Sequence, residues 1–266
     1  MRRSLFLLAF SFVIALSTAA RAATVDLALV LAVDMSGSID AREARLQRQG
    51  YIRALTSPEV VSAIRGGPLG KVAVTYIEWS DVTDQRVIVD WTLIDSLATA
   101  SSVAAAIETA TFRPGRRTAL GEALMFAMAR FKDSPYKATR RVIDVSGDGR
   151  SNVGLPAWIA RNKIVAAGIT INGLPILSTS PNARSVRRGQ PLDDYYLERV
   201  VGGPGAFVIA ARNFSDFGRA IRQKLLKEIA LNRGGAIPGQ IPGRNGIKTT
   251  LPAGGASSGK KLAPIK

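Results

Sequence analysis

Beyond its first two dozen residues the chain alternates short apolar runs with amphipathic stretches, and this rhythm restricts the fold more than any other feature. The apolar runs are Val25 to Val33, Lys71 to Trp79, Arg86 to Trp91, Arg140 to Ser146, Ile169 to Ile176 and Ala206 to Ala210. Helical spacing falls between most of them, at Ala41 to Leu55, Ser101 to Thr109, Leu120 to Lys132, Leu155 to Ala167, Asp193 to Val201 and Phe214 to Leu231. Near-continuous Val, Ile and Leu marks strands covered on both faces. The pattern predicts a three-layer αβα fold: a doubly wound, mostly parallel, six-stranded sheet between two layers of helices. The short gap from Trp79 to Arg86 suits a hairpin, so one edge strand is expected to run antiparallel.

Three segments divide the chain. Arg2 and Arg3 lead into the apolar run Leu5 to Leu16, and Ala20 and Ala22 supply small residues at cleavage spacing, which reads as a signal peptide over 1–22. That run is shorter than the roughly 20 residues of a membrane span, so the expected product is exported, periplasmic or secreted. The predicted domain occupies 23–233. From residue 234 to 266 the sequence is rich in Gly, Pro, Ser and Lys and lacks acids, as expected of a flexible basic tail.

With no cysteine and no histidine, the chain cannot form a disulfide, a thiolate nucleophile, an imidazole base or a zinc site of the His/Cys kind. Chemistry falls to carboxylates, hydroxyls, lysine, arginine or a metal held by oxygen. The formal net charge is +16. Removing Arg2, Arg3 and Arg21 with the signal peptide leaves 33 basic residues against 20 acidic ones, a balance that favours acidic proteins or envelope polyanions as partners. The positive residues are scattered, and no aromatic-basic alternation marks a nucleic-acid groove.

Asp34-x-Ser36-x-Ser38 follows the first strand, where an open parallel sheet gathers its ligands. Three oxygen side chains at alternate positions suit a hard cation; taken alone, they equally suit a helix cap. Two other strand or loop ends add oxygens: Thr118 precedes the helix at Leu120, and Asp148 follows the strand ending at Ser146. Asp144, an acid inside an apolar strand, must either support such a site or pair with a nearby hydroxyl or base.

Asp34-x-Ser36-x-Ser38, Thr118 and Asp148-Gly149, in this order, resemble the metal-ion-dependent adhesion site of von Willebrand factor A domains over roughly residues 24 to 232. Val145 to Gly149 and Gly202 to Phe207 are similar to phrases in a family of exported bacterial proteins carrying such a domain. The resemblance implies a divalent cation, usually Mg2+ with Mn2+ or Ca2+ as alternatives. Ser36 and Ser38 would hold it directly, Thr118 directly or through water, and Asp34 and Asp148 through water or through hydrogen bonds to the ligands. An open position would then accept a partner protein's carboxylate. Two departures stand out: Gly115-Arg116-Arg117 before the threonine, and Ser146-Gly147-Asp148-Gly149 in place of Thr-Asp-Gly.

Two other readings compete with this non-enzymatic binding module. A Mg2+-dependent phosphohydrolase would use Asp34 as nucleophile, but that chemistry needs a second acid two residues on, where Ser36 stands. Alternatively the cation is structural, and the basic surface and tail bind polyanions. Gly254 to Lys261 approximates a phosphate loop without a preceding strand, and Pro135 breaks the turn that a Ser134/Lys137 pair would need.

Overall fold

The computed structural model describes residues 23–177 and 190–230. The stretch 1–22 read as a signal peptide and the whole 234–266 tail lie outside the described residues, as do 178–189 and 231–233.

The first strand, β1 (Thr24–Asp34), is buried from Val25 onward. Alternate side chains serve two cores, as the period of two in a strand requires. Leu27, Leu29, Leu31 and Val33 face one layer, formed mainly by α1 (Ala41–Leu55), α2 (Pro58–Arg65), α3 (Leu97–Glu108) and α7 (Phe217–Ala230). Ala28, Val30 and Ala32 face the other, built from α4 (Leu120–Arg130) and α5 (Ala157–Ala166). This is the two-sided burial expected of a parallel sheet.

The sheet order is β3-β2-β1-β4-β5, with β2 (Val72–Trp79), β3 (Gln85–Ile94), β4 (Lys137–Gly147) and β5 (Thr170–Pro175). Strands β2, β1, β4 and β5 are parallel, and β3 forms the antiparallel edge through the expected hairpin. The sheet has five strands rather than six. Val208 and Ala211 make only isolated bridges to Gly173 and Ile176. Pro175 has no N–H to extend the ladder, and the Phe207 N–H donates to the Asn172 side chain instead of to backbone.

Helix α2 has no counterpart among the expected elements, although Ser57 caps it, Pro58 opens it and Gly66 closes it. Helix α3 starts at Leu97, four residues before the apolar spacing shows it, because Ser96 and Thr99 form a capping box. The helix expected from Asp193 to Val201 is a short α6 (Leu192–Tyr195) continued by a π-helical turn, Tyr196–Val200. Phe214–Asp216 is a 3-10 turn before α7.

Strand order reverses between β1 and β4, and Val33 lies opposite Ser146 there. The chain leaves the two strands side by side, at Asp34 and at Gly147. That reversal is where an open α/β sheet forms its crevice.

Candidate metal centre

Asp34 ends β1 fully buried, and its Oδ1 accepts the Ser36 N–H at 2.7 Å, which folds the loop back over the strand end. Gln47 on α1 donates to the Asp34 carbonyl at 3.2 Å, and the Met35 N–H bonds to the Trp79 carbonyl at 2.8 Å. The loop is thus tied to α1 and β2. Ser36 is buried and Ser38 is exposed, with 3.4 Å between their hydroxyls. Across the strand reversal, Ser38 Oγ donates to Asp148 Oδ1 at 2.7 Å. Four of the five expected residues therefore form one continuous polar chain.

Thr118 is the fifth. Its N–H donates to Asn152 Oδ1 at 3.0 Å and its carbonyl accepts the Asn152 N–H at 2.9 Å. A Cβ on Gly149 would stand 3.8 Å from Thr118 Oγ1, so the hydroxyl borders the turn that carries Asp148. The loop before it lies directly on the serine loop: the Gly115 N–H bonds to the Met35 carbonyl at 2.8 Å, and the Ala119 N–H to the Ser80 carbonyl at 2.7 Å. A Cβ on Gly115 would come within 2.6 Å of the Met35 carbonyl oxygen, which is why a glycine sits at this crossing.

A buried ion-pair cluster fixes the start of that loop. Glu78 on β2, fully buried, accepts from Arg48 Nε on α1 at 2.8 Å and lies 3.4 Å from Arg86 on β3. Arg48 also donates to the carbonyls of Ala110 and Thr111, and Arg86 to that of Arg113. The sequence shows Glu78 only as an acid in an apolar strand, the same signal that drew attention to Asp144.

The arginines near these loops are partly engaged. Arg117 pairs with Asp81 at 2.9 Å; Arg150 donates to the Gln190 carbonyl and stacks over Tyr195; Arg116 is exposed. Asp144 finds a base rather than a hydroxyl. Lys224 of α7 reaches its Oδ1.

Electrostatically the cluster is short of positive charge. Burial, followed by the charge of Asp148, pushes the Asp34 carboxyl well above the usual range, against the Ser36 hydrogen bonds that lower it. Burial likewise raises Asp148, partly offset by the Ser38 hydroxyl. Among the described residues no lysine or arginine forms an ion pair with either carboxylate, and the buried Asp34 Oδ2 has no hydrogen-bond partner. Two buried acids, three hydroxyls and one orphaned carboxylate oxygen fit a hard cation, which would supply the missing charge. Among the described residues no group of three or more acids offers another metal site.

The sequence profile of a family described as "Protein of unknown function (DUF1194)" matches residues 24–233. The chain belongs to this family. No curated protein matches it significantly. Among solved structures it is similar to proximal thread matrix protein 1 of the mussel byssus, including a form "with zinc occupied MIDAS motif", at 18% identity and a TM-score of 0.57 over 78% of this chain and 48% of that one. The pilus adhesin SpaC from Lactobacillus rhamnosus GG, in its open conformation, matches at 15% identity, a TM-score of 0.56, 79% of this chain and 30% of that one. A von Willebrand factor type A protein from Catenulispora acidiphila matches at 17% identity and a TM-score of 0.51, over 77% and 43%. This chain spans about half or less of each of these proteins. The DUF1194 domain thus has the von Willebrand factor A fold, and among its described residues no helix is long and apolar enough to cross a membrane.

Proposed function

We propose that this family member is an exported binding module that holds a divalent cation, foremost Mg2+, through Asp34, Ser36, Ser38, Thr118 and Asp148, and uses it to grip an acidic side chain of a partner protein. The observation that carries the reading is the buried pair Asp34 and Asp148: the charge of Asp148 adds to burial in raising the Asp34 carboxyl, and among the described residues no basic side chain is paired to either. A bound cation would keep both ionised. With only two acids around it, the cation would retain enough charge to attract an external carboxylate. Ser38, exposed at the mouth of the cluster, gives such a ligand an approach. The zinc-occupied site of the byssus protein and the adhesive role named for the pilus protein are in keeping with this reading. Export rests on the N-terminal sequence alone.

The test is thermal unfolding with Mg2+ or Mn2+ against chelator, followed by capture of partners from an envelope extract under both conditions. Ligand at about a hundred times its Kd stabilises the native state by about 2.7 kcal/mol. The parent is expected to gain Tm and retain partners with cation, and Asp34→Ala to do neither. A partner released by salt but not by chelator would favour polyanion binding by the basic surface.

A further inference from the structure

At the foot of the cation cluster, Tyr196 is fully buried on the π-helical turn Tyr196–Val200, closed by the Val201 N–H to the Tyr196 carbonyl at 2.9 Å. Among the described residues its hydroxyl has no hydrogen-bond partner, and neither has Asp34 Oδ2. Two glycines make room for this side chain. A Cβ on Gly173 of β5 would lie 2.7 Å from Tyr196 Cδ1. A Cβ on Gly147 of β4 would lie 2.9 Å from the Tyr196 hydroxyl and 2.7 Å from Asp34 Oδ2. The two orphaned oxygens therefore border the same small space, the one a side chain at residue 147 would occupy. The charges of Asp34 and Asp148 also act on the tyrosine, helping burial to raise its pKa.

A buried hydroxyl with no partner is costly to the fold, and π turns are frequent at functional sites. We propose that Tyr196 is a positioning residue of the cation site: its hydroxyl donates to Asp34 Oδ2, directly or through one water, and holds the ionised carboxylate in place when the cation is bound. The tyrosine does from the π turn what a hydroxyl side chain at position 147 would do from the strand. Gly147 and Gly173 are what give Tyr196 access. This inference rests on the cation-binding reading above.

The test measures Mn2+ affinity of the full chain by calorimetry across pH, for the parent, Tyr196→Phe and Tyr76→Phe. Tyr76 is the matched control: also fully buried with an unpartnered hydroxyl, but within the opposite core. Tyr196→Phe is expected to weaken Mn2+ binding about tenfold, the lower end for partners that orient metal ligands. It should also move the loss of binding on acidification to higher pH, while Tm in chelator stays level or rises. Tyr76→Phe should bind as the parent does. Equal Mn2+ affinity and pH profile in Tyr196→Phe and parent would overturn the proposal, as would a variant that loses stability in chelator or fails to fold. A parent that binds no Mn2+ would overturn the cation reading as well; a parent that binds beside an equally binding Tyr196→Phe removes only the role of Tyr196.

Discussion

Lys224 Nζ lies 2.7 Å from Asp144 Oδ1 with both side chains fully buried, joining α7 to the middle of β4 four residues before Asp148. Glu228 Oε1 lies 2.7 Å from the same ammonium, and Asn172 donates to that oxygen at 2.9 Å. One buried cation between two buried carboxylates leaves the group a charge out of balance. Burial, with Glu228 adding to it against the pull of Lys224, carries Asp144 to about 7.

This sets the pH dependence of folding. Native Asp144 holds a proton up to about 7 that an unfolded chain releases near 4. The native state therefore binds more protons across that window, and stability falls as pH rises through it. Asp34 and Asp148 are raised too and act with the same sign. In chelator, Tm should fall from pH 5 to pH 7.5. Mg2+ should remove the share due to Asp34 and Asp148, and Asp144→Asn should remove a separate share that persists with Mg2+. Melting curves against pH, with and without cation, check this; a Tm that rises over the window would refute it.

Removing the lysine should be far more damaging than removing the set. Lys224→Met leaves Asp144 and Glu228 together without a countercharge, and breaking a buried pair costs about 3–5 kcal/mol. Adding Asp144→Asn and Glu228→Gln takes both charges away and should recover most of that loss. Urea unfolding of the single and triple variants measures the difference. Equal stabilities would show that the two carboxylates left without the ammonium cost the fold little.

The architecture and the site were legible in different degrees. The apolar run to Val33 and the hydroxyl motif after it marked both the central strand and its functional end, because burial and ligand type leave their signature within a few residues. Thr118 and Asp148 lie far along the chain from that motif, and only their order and the family resemblance linked them to it. Tyr196 and Asn152 were invisible as parts of the site: they act through tertiary geometry, through the room left at Gly147 and Gly173 and the pairing around Thr118. The sixth strand was expected because Ala206 to Ala210 reads as apolar, whereas the N–H of Phe207 goes to Asn172 and Pro175 interrupts the edge. Helix α2 carried its caps in plain view, but eight residues give apolar periodicity little room to show.

The cluster at Glu78 should govern the loop that delivers Thr118. Glu78→Gln keeps the shape but loses the charge that holds Arg48 and Arg86, which in turn bind the carbonyls of Ala110, Thr111 and Arg113. A hydrogen bond to a charged group contributes about 1.5–3 kcal/mol, and the variant should lose stability in that range. Amide exchange should accelerate in residues 110 to 118, with Ser36 to Ser38 changing less. Exchange that rises evenly over the whole fold would mean that Glu78 supports the core rather than the loop.

Ser38 offers the cleanest separation of binding from folding. It is exposed, its hydroxyl donates to Asp148 at 2.7 Å, and it lies outside both apolar cores. Ser38→Ala removes one oxygen from the cluster and little else, so stability in chelator should fall only by about the 0.5–1.5 kcal/mol of a single hydrogen bond. The gain in Tm on adding Mg2+ should nonetheless shrink or vanish, because a proposed direct ligand would be gone. Thr118→Ala is expected to weaken the Mg2+ effect as well; the backbone bonds from residue 118 to Asn152 survive the substitution and hold the loop in place. If both alanine variants kept the full Mg2+ response, the cation would have to sit elsewhere, and the hydroxyls of this cluster would be caps and turn residues.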